Sequence, residues 1–474
     1  MRATMLLLIG LTMLTGCSRL DTAGTVAVDV GSDASDVSDG SGSGAGCSGS
    51  GSDGSGSGAA ELSLEPVDGD CNYIARDCEL TGEFDTAYVP RSCSYEVPKL
   101  LGTSKRRLSC GTSTDLPQVV RITFPTDDAS RTAALLWVTS EANRSSVVQL
   151  GEAPDALNRE YYGYNFSYSG LSNRRTHEVH ICDLEPSKTY YYKVGGEGGW
   201  SEVKSFVTAP EKGSIAPFSF AVVGDTRSPN YDSWKTATDQ ILEKGADFML
   251  FSGDAVEVGP VQAQWDLWFQ KGANALSQVP FVPTNGNHDQ VVVTYFAQFA
   301  LPGRERNFVM RYGNVVVVSM CDTPLDESTL LGTTYKDFLD TSLEANADAT
   351  WKIVLNHRPL YSASTNHGSA LDLQDFWLPI IDKHNVDVVF NGHDHNYERS
   401  RPIRNRAVVA PGEGTVFIVA AGVGAPLYDN GAGWWTEVSE KTENYLMVDV
   451  NDRTLNINAY RLDGTQLDTL TLTK

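Results

Sequence analysis

The sequence predicts a small all-β sandwich followed by a larger α/β domain, and three observations support this order. Short strands rich in β-branched and aromatic residues recur within 117–208 without a helical period. From residue 217 onward, apolar strands alternate with amphipathic helices. Hydrophobic residues make up 41% of the 474 positions, enough for a substantial core. We therefore expect a short segment at 61–115, the sandwich at 116–209 and the α/β domain at 210–474.

The charge balance restricts the partners of the chain. Sixty Asp and Glu residues stand against 37 Lys and Arg residues, which gives a formal net charge of −23. Nucleic-acid binding depends on cationic surfaces that neutralise phosphates, so we expect no nucleic-acid partner. The same charge repels anionic small molecules at long range. A site for an anionic substrate would therefore need strong positive charge of its own.

The N-terminus has the form of an export signal. An apolar stretch at 5–14 follows Arg2 and is too short to span a bilayer. It leads into the tetrapeptide LTGC, which ends at Cys17 and resembles a bacterial lipobox. The resemblance implies that 1–16 is a signal peptide and that a lipid attaches to the thiol of Cys17. An ordinary secretory signal is the alternative.

A polar tether is expected after the lipid-bearing residue. Residues 40–58 are almost all Gly and Ser, and 17–60 as a whole is rich in Asp. Such a segment buries too little apolar surface to offset its ordering entropy, so it stays solvated. We expect it to hold the folded domains away from a membrane of the bacterial cell envelope. Ser18, the residue after the lipid-bearing cysteine, is compatible with sorting to the outer membrane. The sequence does not determine which leaflet carries the anchor.

The cysteines favour an oxidising compartment. Four of them fall close together after the tether and form no CxxC pair, so two disulfides are favoured over a zinc site. Their pairing cannot be derived from the sequence. Two further cysteines lie in apolar strands and are expected to be inert buried thiols. The clustered cysteines are Cys71, Cys78, Cys93 and Cys110; the expected free thiols are Cys182 and Cys321; Cys47 has no assigned role.

The sandwich is predicted from regularly spaced strands. About seven strands in about ninety residues are typical of a fibronectin type III-like sandwich. His177 and His180 lie on this module, where we expect them to pack or face solvent rather than bind a metal. The most evident strands are 118–124, 133–139, 146–150, 177–184, 189–194 and 201–208.

The α/β domain is predicted from buried strands that alternate with helices. One helix face carries Trp234, Ala237 and Ile241, and a second helix carries Trp377 and Ile381. The predicted strands are 218–223, 248–251, 281–283, 315–320, 351–355 and 386–390, with 416–421 and 445–472 closing the domain.

Polar signals follow five of these strands directly. Ligands gather at the carboxyl ends of strands in α/β sheets. Carboxylate, amide and imidazole groups are ligands for hard and borderline metal ions. Each signal by itself is weak evidence for a metal site, whereas the ordered set of five is strong evidence. The signals are Gly224-Asp225, Gly253-Asp254, Gly286-Asn287-His288-Asp289, His357 and Gly392-His393-Asp394-His395.

This ordered set resembles the calcineurin-like metallophosphoesterase superfamily over 217–474. The extended motif GHDHNYER at 392–399 resembles its purple acid phosphatase branch. The stretch LEPSKTYYYKVG at 184–195 is similar to a strand pair in the N-terminal domain of that branch. The resemblance implies a four-layer α/β (α+β) sandwich preceded by the fibronectin type III-like module.

The resemblance also implies a site for two metal ions, with Fe, Mn and Zn all possible. A metal-bound hydroxide would attack the phosphorus of a phosphate ester. Asp254 would bridge the ions, one of which would also take Asp225 and His395, and the other Asn287, His357 and His393.

Three residues are implied in proton transfer or charge stabilisation. His288 would stabilise charge or protonate the leaving group, with Asp289 orienting it. His367, ten residues after His357, matches a leaving-group histidine of the branch. An exposed loop position is the alternative for His367.

Two positions depart from the family pattern. The branch carries a metal-binding Tyr three residues after the bridging Asp, where this chain has Glu257. Other superfamily members carry a His two residues after the first Asp, where this chain has Arg227. We expect Glu257, or water, to replace the missing ligand. Arg227 is a candidate for binding the substrate phosphate or for a surface salt bridge.

Together these features predict an exported, lipid-anchored metallophosphatase that acts on small phosphomonoesters. A phosphodiesterase or nucleotidase would use the same metals. A surface binding protein, whose turnover the changes at 227 and 257 have destroyed, is the alternative from another class.

Overall fold

A computed structural model describes residues 82–85, 87–90, 92–108, 113–323 and 328–474. These residues belong to one compact unit. Several predictions concern residues outside the described part of the chain: the signal peptide, the tether, the lipid on Cys17, and Cys47, Cys71, Cys78 and Cys110.

The N-terminal domain consists of two antiparallel sheets. The first has the strand order β1-β2-β7-β8-β4-β3, and the second has the order β10-β9-β5-β6. The strands are β1 Gly82–Phe84, β2 Arg106–Leu108, β3 Gln118–Thr123, β4 Ala133–Ser140, β5 Val147–Gly151, β6 Arg159–Tyr162, β7 Tyr164–Phe166, β8 Arg174–Ile181, β9 Thr189–Gly195 and β10 Lys204–Val207.

The two sheets share one apolar core, because alternate residues of each strand point inward. Leu135 and Trp137 of β4 lie in this core with Leu150 of β5 and Tyr190 and Tyr192 of β9. The all-β prediction for 116–209 is therefore confirmed. The prediction missed the short strands β6 and β7, and it treated β1 and β2 as part of a separate segment, whereas both extend the first sheet.

The cysteine prediction is wrong for Cys182, which is not a free thiol. It forms a disulfide with Cys93, 89 residues earlier in the chain. The bond joins the end of β8 to the segment between β1 and β2. Cys93 therefore pairs outside the cluster that was expected to contain both disulfides. Cys321 is a free, buried thiol, as expected.

The C-terminal domain contains two large mixed sheets. The first has the order β13-β12-β11-β23-β24-β25, the second the order β14-β15-β16-β17-β21-β18-β22, and β19 pairs with β20. The strands are β11 Phe218–Val223, β12 Phe248–Phe251, β13 Phe281–Pro283, β14 Phe308–Tyr312, β15 Val315–Met320, β16 Trp351–Asn356, β17 Val388–Asn391, β18 Tyr397–Ser400, β19 Ile403–Arg404, β20 Ala407–Val408, β21 Val416–Ala420, β22 Thr436–Glu440, β23 Asn444–Asn451, β24 Thr454–Arg461 and β25 Gln466–Thr473.

Helices cover the outer faces of both sheets, which makes four layers. Trp234 of α1 and Trp268 of α2 pack in the core of the first sheet. Leu339 of α5 and Trp377 of α6 pack against the second sheet. Within the described residues, no helix is long and apolar enough to cross a membrane. The helices are α1 Asp232–Glu243, α2 Gln262–Leu276, α3 Val293–Phe296, α4 Ser328–Leu331, α5 Thr334–Ala345 and α6 Leu371–His384.

Strand β15 shows how the layers are built. Val315 and Val317 lie in the core between the sheets, whereas Val316 and Val318 lie under the outer helices. A strand buried on both faces has a continuous apolar sequence, which is the pattern of parallel sheets. β11, β12 and β13 run parallel to one another, as do β15, β16, β17 and β21.

The two domains are in direct contact. The hydroxyl of Tyr192 donates a hydrogen bond to the carbonyl of Ser277 at 2.6 Å, and Thr123 donates to the carbonyl of Ala300 at 2.7 Å. Arg174 pairs with Asp266 at 2.6 Å. The sandwich thus packs on the side of the C-terminal domain that carries α2 and the loop after α3.

Candidate metal centre

Short loops after five parallel strands build the site. Asp225 and Asp254 adopt positive φ angles of 55° and 58°, and His393 has a φ of 69°. Non-glycine residues rarely take this conformation, and it tends to occur at functional sites. Glycine is required beside them. A Cβ on Gly286 would overlap the carboxylate of Asp254, and one on Gly392 would overlap that of Asp225.

One half of the site brings together three atoms that can bind a metal. Oδ1 of Asn287 lies 3.0 Å from Nε2 of His357 and 3.0 Å from Nδ1 of His393. The two imidazole nitrogens are 3.3 Å apart. Nδ1 of His357 donates a hydrogen bond to the carbonyl of Ser252 at 2.7 Å, so its proton is held there and Nε2 faces the cluster.

The other half contains two carboxylates and one imidazole. Nε2 of His395 lies 3.3 Å from Oδ1 of Asp225. Nδ1 of His395 donates to the carbonyl of Pro426 at 2.6 Å, so this ring also turns Nε2 toward the site. Asp254 lies between the halves, with Oδ2 3.5 Å from Nε2 of His357. Ligand atoms of Asp225, Asp254 and His357 all lie within 4.8 Å of one another.

The donor set fits a pair of cations. Oδ2 of Asp254 is buried and has no hydrogen-bond partner. Buried polar atoms are normally satisfied, so an orphaned carboxylate oxygen among imidazoles indicates a site for positive charge. Burial alone lowers the pKa of His357, but Asp254 outweighs it and raises that pKa to about 10. Burial and the neighbouring His357 lower the pKa of His393 to about 2.

Asp289 organises the loops of the site rather than the ring of His288. Its carboxylate accepts hydrogen bonds from the backbone N–H groups of Asp254, Ala255, Val256 and Gly286, at 2.8, 2.9, 3.3 and 3.0 Å. Burial and the charge of Asp254 raise the pKa of Asp289, whereas these N–H groups oppose the rise. Asp289 was expected to orient the ring of His288, but its carboxylate binds these backbone N–H groups instead. A carboxylate that collects these four N–H groups fixes the backbone from Asp254 to Val256 and ties it to the loop at Gly286.

The two departures from the family pattern contact each other. Nη1 of Arg227 lies 2.8 Å from Oε2 of Glu257. The carboxylate of Glu257 is thereby paired and half exposed, and it does not join the converging ligand atoms of Asp225 and Asp254. The guanidinium of Arg227 reaches into the site, where Nε is 3.5 Å from Oδ2 of Asp254. Arg227 therefore lies inside the centre rather than on the outer surface.

The predicted proton-transfer histidines lie at the mouth of the site. Nδ1 of His288 donates to the backbone carbonyl of Glu257 at 2.8 Å. His367 is exposed, and its ring centroid is 4.2 Å from that of His393. Asn287 is also exposed, whereas Asp225, Asp254, His357 and His395 are buried. The site therefore opens to solvent on the side of Asn287 and His288.

Tyr428 belongs to the site and was not predicted. Its ring stacks on that of His395, with centroids 4.1 Å apart, and its hydroxyl lies 3.3 Å from Nη2 of Arg227. The signal was present, because β21 is also a parallel strand of the second sheet and the loop after it reaches the same edge. That loop contains Tyr428.

Glu398, near the end of the GHDHNYER motif, holds two loops of the site together through hydrogen bonds. The buried carboxylate of Glu398 accepts hydrogen bonds from the N–H of Ala363 at 2.7 Å, Nε1 of Trp435 at 2.9 Å and the hydroxyl of Thr436 at 2.7 Å. These bonds tie the loop after β16 to the loop after β21. The first loop carries His367 and the second carries Tyr428, so Glu398 supports one wall of the site.

Comparisons with known proteins agree with this geometry. Residues 117–208 match the model of the purple acid phosphatase N-terminal domain, and residues 218–397 match that of the calcineurin-like phosphoesterases. The chain carries both of these domains. Purple acid phosphatase 21 of Arabidopsis thaliana is 29% identical over 313 residues, 61% of this chain and 68% of the relative. The Fe(3+)-Zn(2+) purple acid phosphatase 12 of the same plant is 26% identical, over 61% of this chain and 66% of the relative.

A solved structure shares the fold of the chain. A purple acid phosphatase from yellow lupin (Lupinus luteus) seeds aligns with a TM-score of 0.67 at 18% identity, over 76% of this chain and 75% of that one. The phosphoesterase domain and its relatives identify the chain as an enzyme that hydrolyses phosphate esters with a dinuclear metal centre. Its substrate is therefore phosphorylated.

Proposed function

We propose that the chain is a phosphomonoesterase of the purple acid phosphatase type. The observation that carries this proposal is the convergence of ligand atoms from five strand-end loops around Asp254. Arg227 stands beside these atoms and provides positive charge that the acidic chain otherwise lacks. The relatives bear the name phosphatase, which favours monoesters.

Two bound cations would attract the phosphate, polarise its oxygens and lower the pKa of a bound water molecule. The chain's own residues hold and orient these cations. The carbonyls of Ser252 and Pro426 keep the rings of His357 and His395 in the tautomer that presents Nε2. The residues that would hold the cations are Asp225, Asp254, Asn287, His357, His393 and His395.

His288 is placed to donate a proton to the leaving group. The carbonyl of Glu257 fixes the proton of Nδ1, and the carboxylate of Glu257 lies 3.5 Å from the same nitrogen. In the imidazolium form the ring carries a second proton on Nε2, which a leaving group at the mouth of the site can take, and the neutral ring then keeps its proton on Nδ1. His367 is exposed and packs against His393, from where it can contact the leaving group.

A substrate panel tests the proposal. Purified protein should release p-nitrophenol from p-nitrophenyl phosphate, lose this activity on chelation and regain it when metal is restored. The rate with bis-p-nitrophenyl phosphate should be at least about tenfold lower. A preference for the diester would instead indicate a phosphodiesterase. Absence of turnover with either compound, in protein shown to contain two metal ions, would indicate a surface binding protein.

The identity of the metals follows from the ligands in part. Fe, Mn and Zn all suit imidazole and carboxylate, and the name of one relative specifies Fe(3+) and Zn(2+). Because Glu257 stands where the branch carries a ligand tyrosine, we expect the metal-loaded protein to be colourless. A visible charge-transfer band that vanishes in Tyr428→Phe would contradict this and identify Tyr428 as a ligand.

We propose that the enzyme acts outside the inner membrane of a bacterial cell, anchored by a lipid on Cys17. The lipobox-like sequence and the acidic Gly/Ser-rich tether support this location. We also propose that the sandwich is fibronectin type III-like, which its two antiparallel sheets around one apolar core support. The anchor is tested by phase partition, in which wild type should enter the detergent phase and Cys17→Ala should not.

A further inference from the structure

The guanidinium of Arg227 lies close to one ligand atom that belongs to a single cation site and to the carboxylate that both sites share. Nη2 is 3.2 Å from Nε2 of His395, and Nε is 3.5 Å from Oδ2 of Asp254. Both of these atoms would face a cation held by Asp225, Asp254 and His395. We call this the first site, and the site formed by Asp254, Asn287, His357 and His393 the second site.

Other residues hold the guanidinium in this position. Oε2 of Glu257 lies 2.8 Å from Nη1, and the hydroxyl of Tyr428 lies 3.3 Å from Nη2. Only 10% of the Arg227 side chain is exposed. An arginine in proteins keeps its charge at every accessible pH, so this positive charge is permanent.

Within the part of the chain that the structure describes, no guanidinium pairs with Asn287, His357 or His393 of the second site. Arg358 directly follows His357 in the sequence, but its guanidinium turns away from the cluster. Its Nη2 lies 3.0 Å from Oδ2 of Asp372, and its Nε donates to the carbonyl of Asp322 at 3.1 Å. Besides the shared Asp254, the second site has two imidazoles and an amide oxygen, whereas the first has one imidazole and the carboxylate of Asp225.

We propose that the two cation sites differ in affinity and that Arg227 makes the first site the weaker one. A cation in the first site shares the carboxylate of Asp254 with the guanidinium and lies a few ångströms from a like charge, in a region largely closed to water. Glu257 offsets part of this repulsion through its ion pair with Arg227. This inference rests on the proposed dinuclear function. It adds a form of regulation, because turnover then depends on whether the free metal concentration is high enough to fill the first site.

Metal titration of the full chain tests the inference without measuring activity. Metal-stripped wild type is titrated with Zn²⁺ by calorimetry, and bound metal is counted after dialysis. We expect two binding steps whose affinities differ by at least about tenfold. In Arg227→Gln the weaker step should tighten by about tenfold or more. Arg227→Lys keeps the positive charge and should leave the weaker step unchanged. This variant separates the effect of the charge on metal affinity from the effect of the shape of the side chain.

Two further variants complete the design. Arg401→Gln is the matched control, because Arg401 forms a similar pair with Glu437 at 3.0 Å, away from the site, and should leave both steps unchanged. His395→Ala in the Arg227→Gln background should abolish the strengthened step and retain the other. Melting temperatures verify that each variant is folded.

The outcomes separate this inference from the proposed function. Two equally tight steps in wild type, or an unchanged weak step in Arg227→Gln, would overturn the inference and leave the dinuclear site standing. A folded wild-type protein that binds no metal ion would overturn the proposed function itself. Loss of the tight step in place of the weak one in the His395→Ala background would reverse the assignment of the two sites and also contradict the inference.

Discussion

Buried histidines occur in two regions of this chain and have different environments. In the sandwich, His177 hydrogen-bonds with Thr139 through Nε2 at 2.6 Å and with Ser146 through Nδ1 at 2.9 Å. His180 hydrogen-bonds with Tyr95 and Glu178 through its two nitrogens, both at 2.6 Å. At the metal centre, His357 and His395 each use one nitrogen for a backbone carbonyl and turn the other toward the site.

The difference shows what makes a buried histidine a ligand. When the protein provides partners for both ring nitrogens, the imidazole is part of the structure and stabilises it. When the second nitrogen faces amide and carboxylate oxygens, as Nε2 of His357 faces those of Asn287 and Asp254, a cation between them completes the arrangement. We therefore expect changes in the sandwich to alter stability, and changes at the strand ends to alter activity.

The largest expected effect is that of His357→Ala. Removing a ligand of the second site should lower kcat/KM for p-nitrophenyl phosphate by about 1,000-fold or more, because the substrate phosphate loses its electrostatic stabilisation. The melting temperature of the metal-free protein should change little. His384→Ala, on the outer helix α6, is the control and should retain activity. Comparable rates in wild type and His357→Ala would refute a role for this residue in metal binding.

Removing the disulfide should have the opposite effect, lowering stability and leaving activity unchanged. Cys182→Ala releases the bond to Cys93, which closes a long loop, and should lower the free energy of unfolding by about 2–4 kcal/mol. The kcat/KM of the folded fraction should be unchanged. Denaturant unfolding under oxidising conditions measures the loss, with Cys321→Ala as a control for removing a buried sulfur. A loss of activity without a loss of stability would contradict the claim that changes in the sandwich alter stability and changes at the strand ends alter activity.

Asp289→Asn tests the boundary between the two regions. The amide oxygen can accept hydrogen bonds from only some of the four N–H groups that the carboxylate now collects, so the loop at Asp254 should loosen. We expect kcat/KM to fall by up to about 100-fold, together with metal affinity. Asp115→Asn in the sandwich removes a carboxylate that accepts from the N–H of Ser140 and should leave kcat/KM intact. Equal effects of the two substitutions would contradict the role of Asp289.

The smallest effect is a pH dependence of stability that arises in the sandwich. Burial, followed by the charge of Arg175, lowers the pKa of His177 to about 3. The unfolded chain binds this proton below about pH 6.5, whereas the folded chain does not, so stability is full above pH 6.5 and falls as the pH decreases. Between pH 7 and pH 5, wild type should lose about 2 kcal/mol more than His177→Gln. Parallel curves for the two proteins would show that His177 does not titrate in this way.

The sequence by itself determined the order of the domains and the loops that form the site. Periodicity of two and of 3.6 residues separates the sandwich from the α/β domain, because the side-chain direction repeats with the backbone geometry. The Gly-Asp, Gly-Asn-His-Asp and Gly-His-Asp-His signals could be placed at strand ends, since a short turn after a parallel strand has few possible conformations. Asp225, Asp254, Asn287, His357, His393 and His395 were found in this way.

Only the tertiary structure decided the contacts between distant segments. The pairing of Cys93 with Cys182, the ion pair of Arg227 with Glu257 and the stacking of Tyr428 on His395 each depend on which strands are neighbours in a sheet. Strand order is set by the packing of whole layers and leaves no mark on the local sequence near either partner. For the same reason Asp289 was assigned to the wrong contact: its neighbour in the chain is His288, but its neighbours in space are the N–H groups around Asp254.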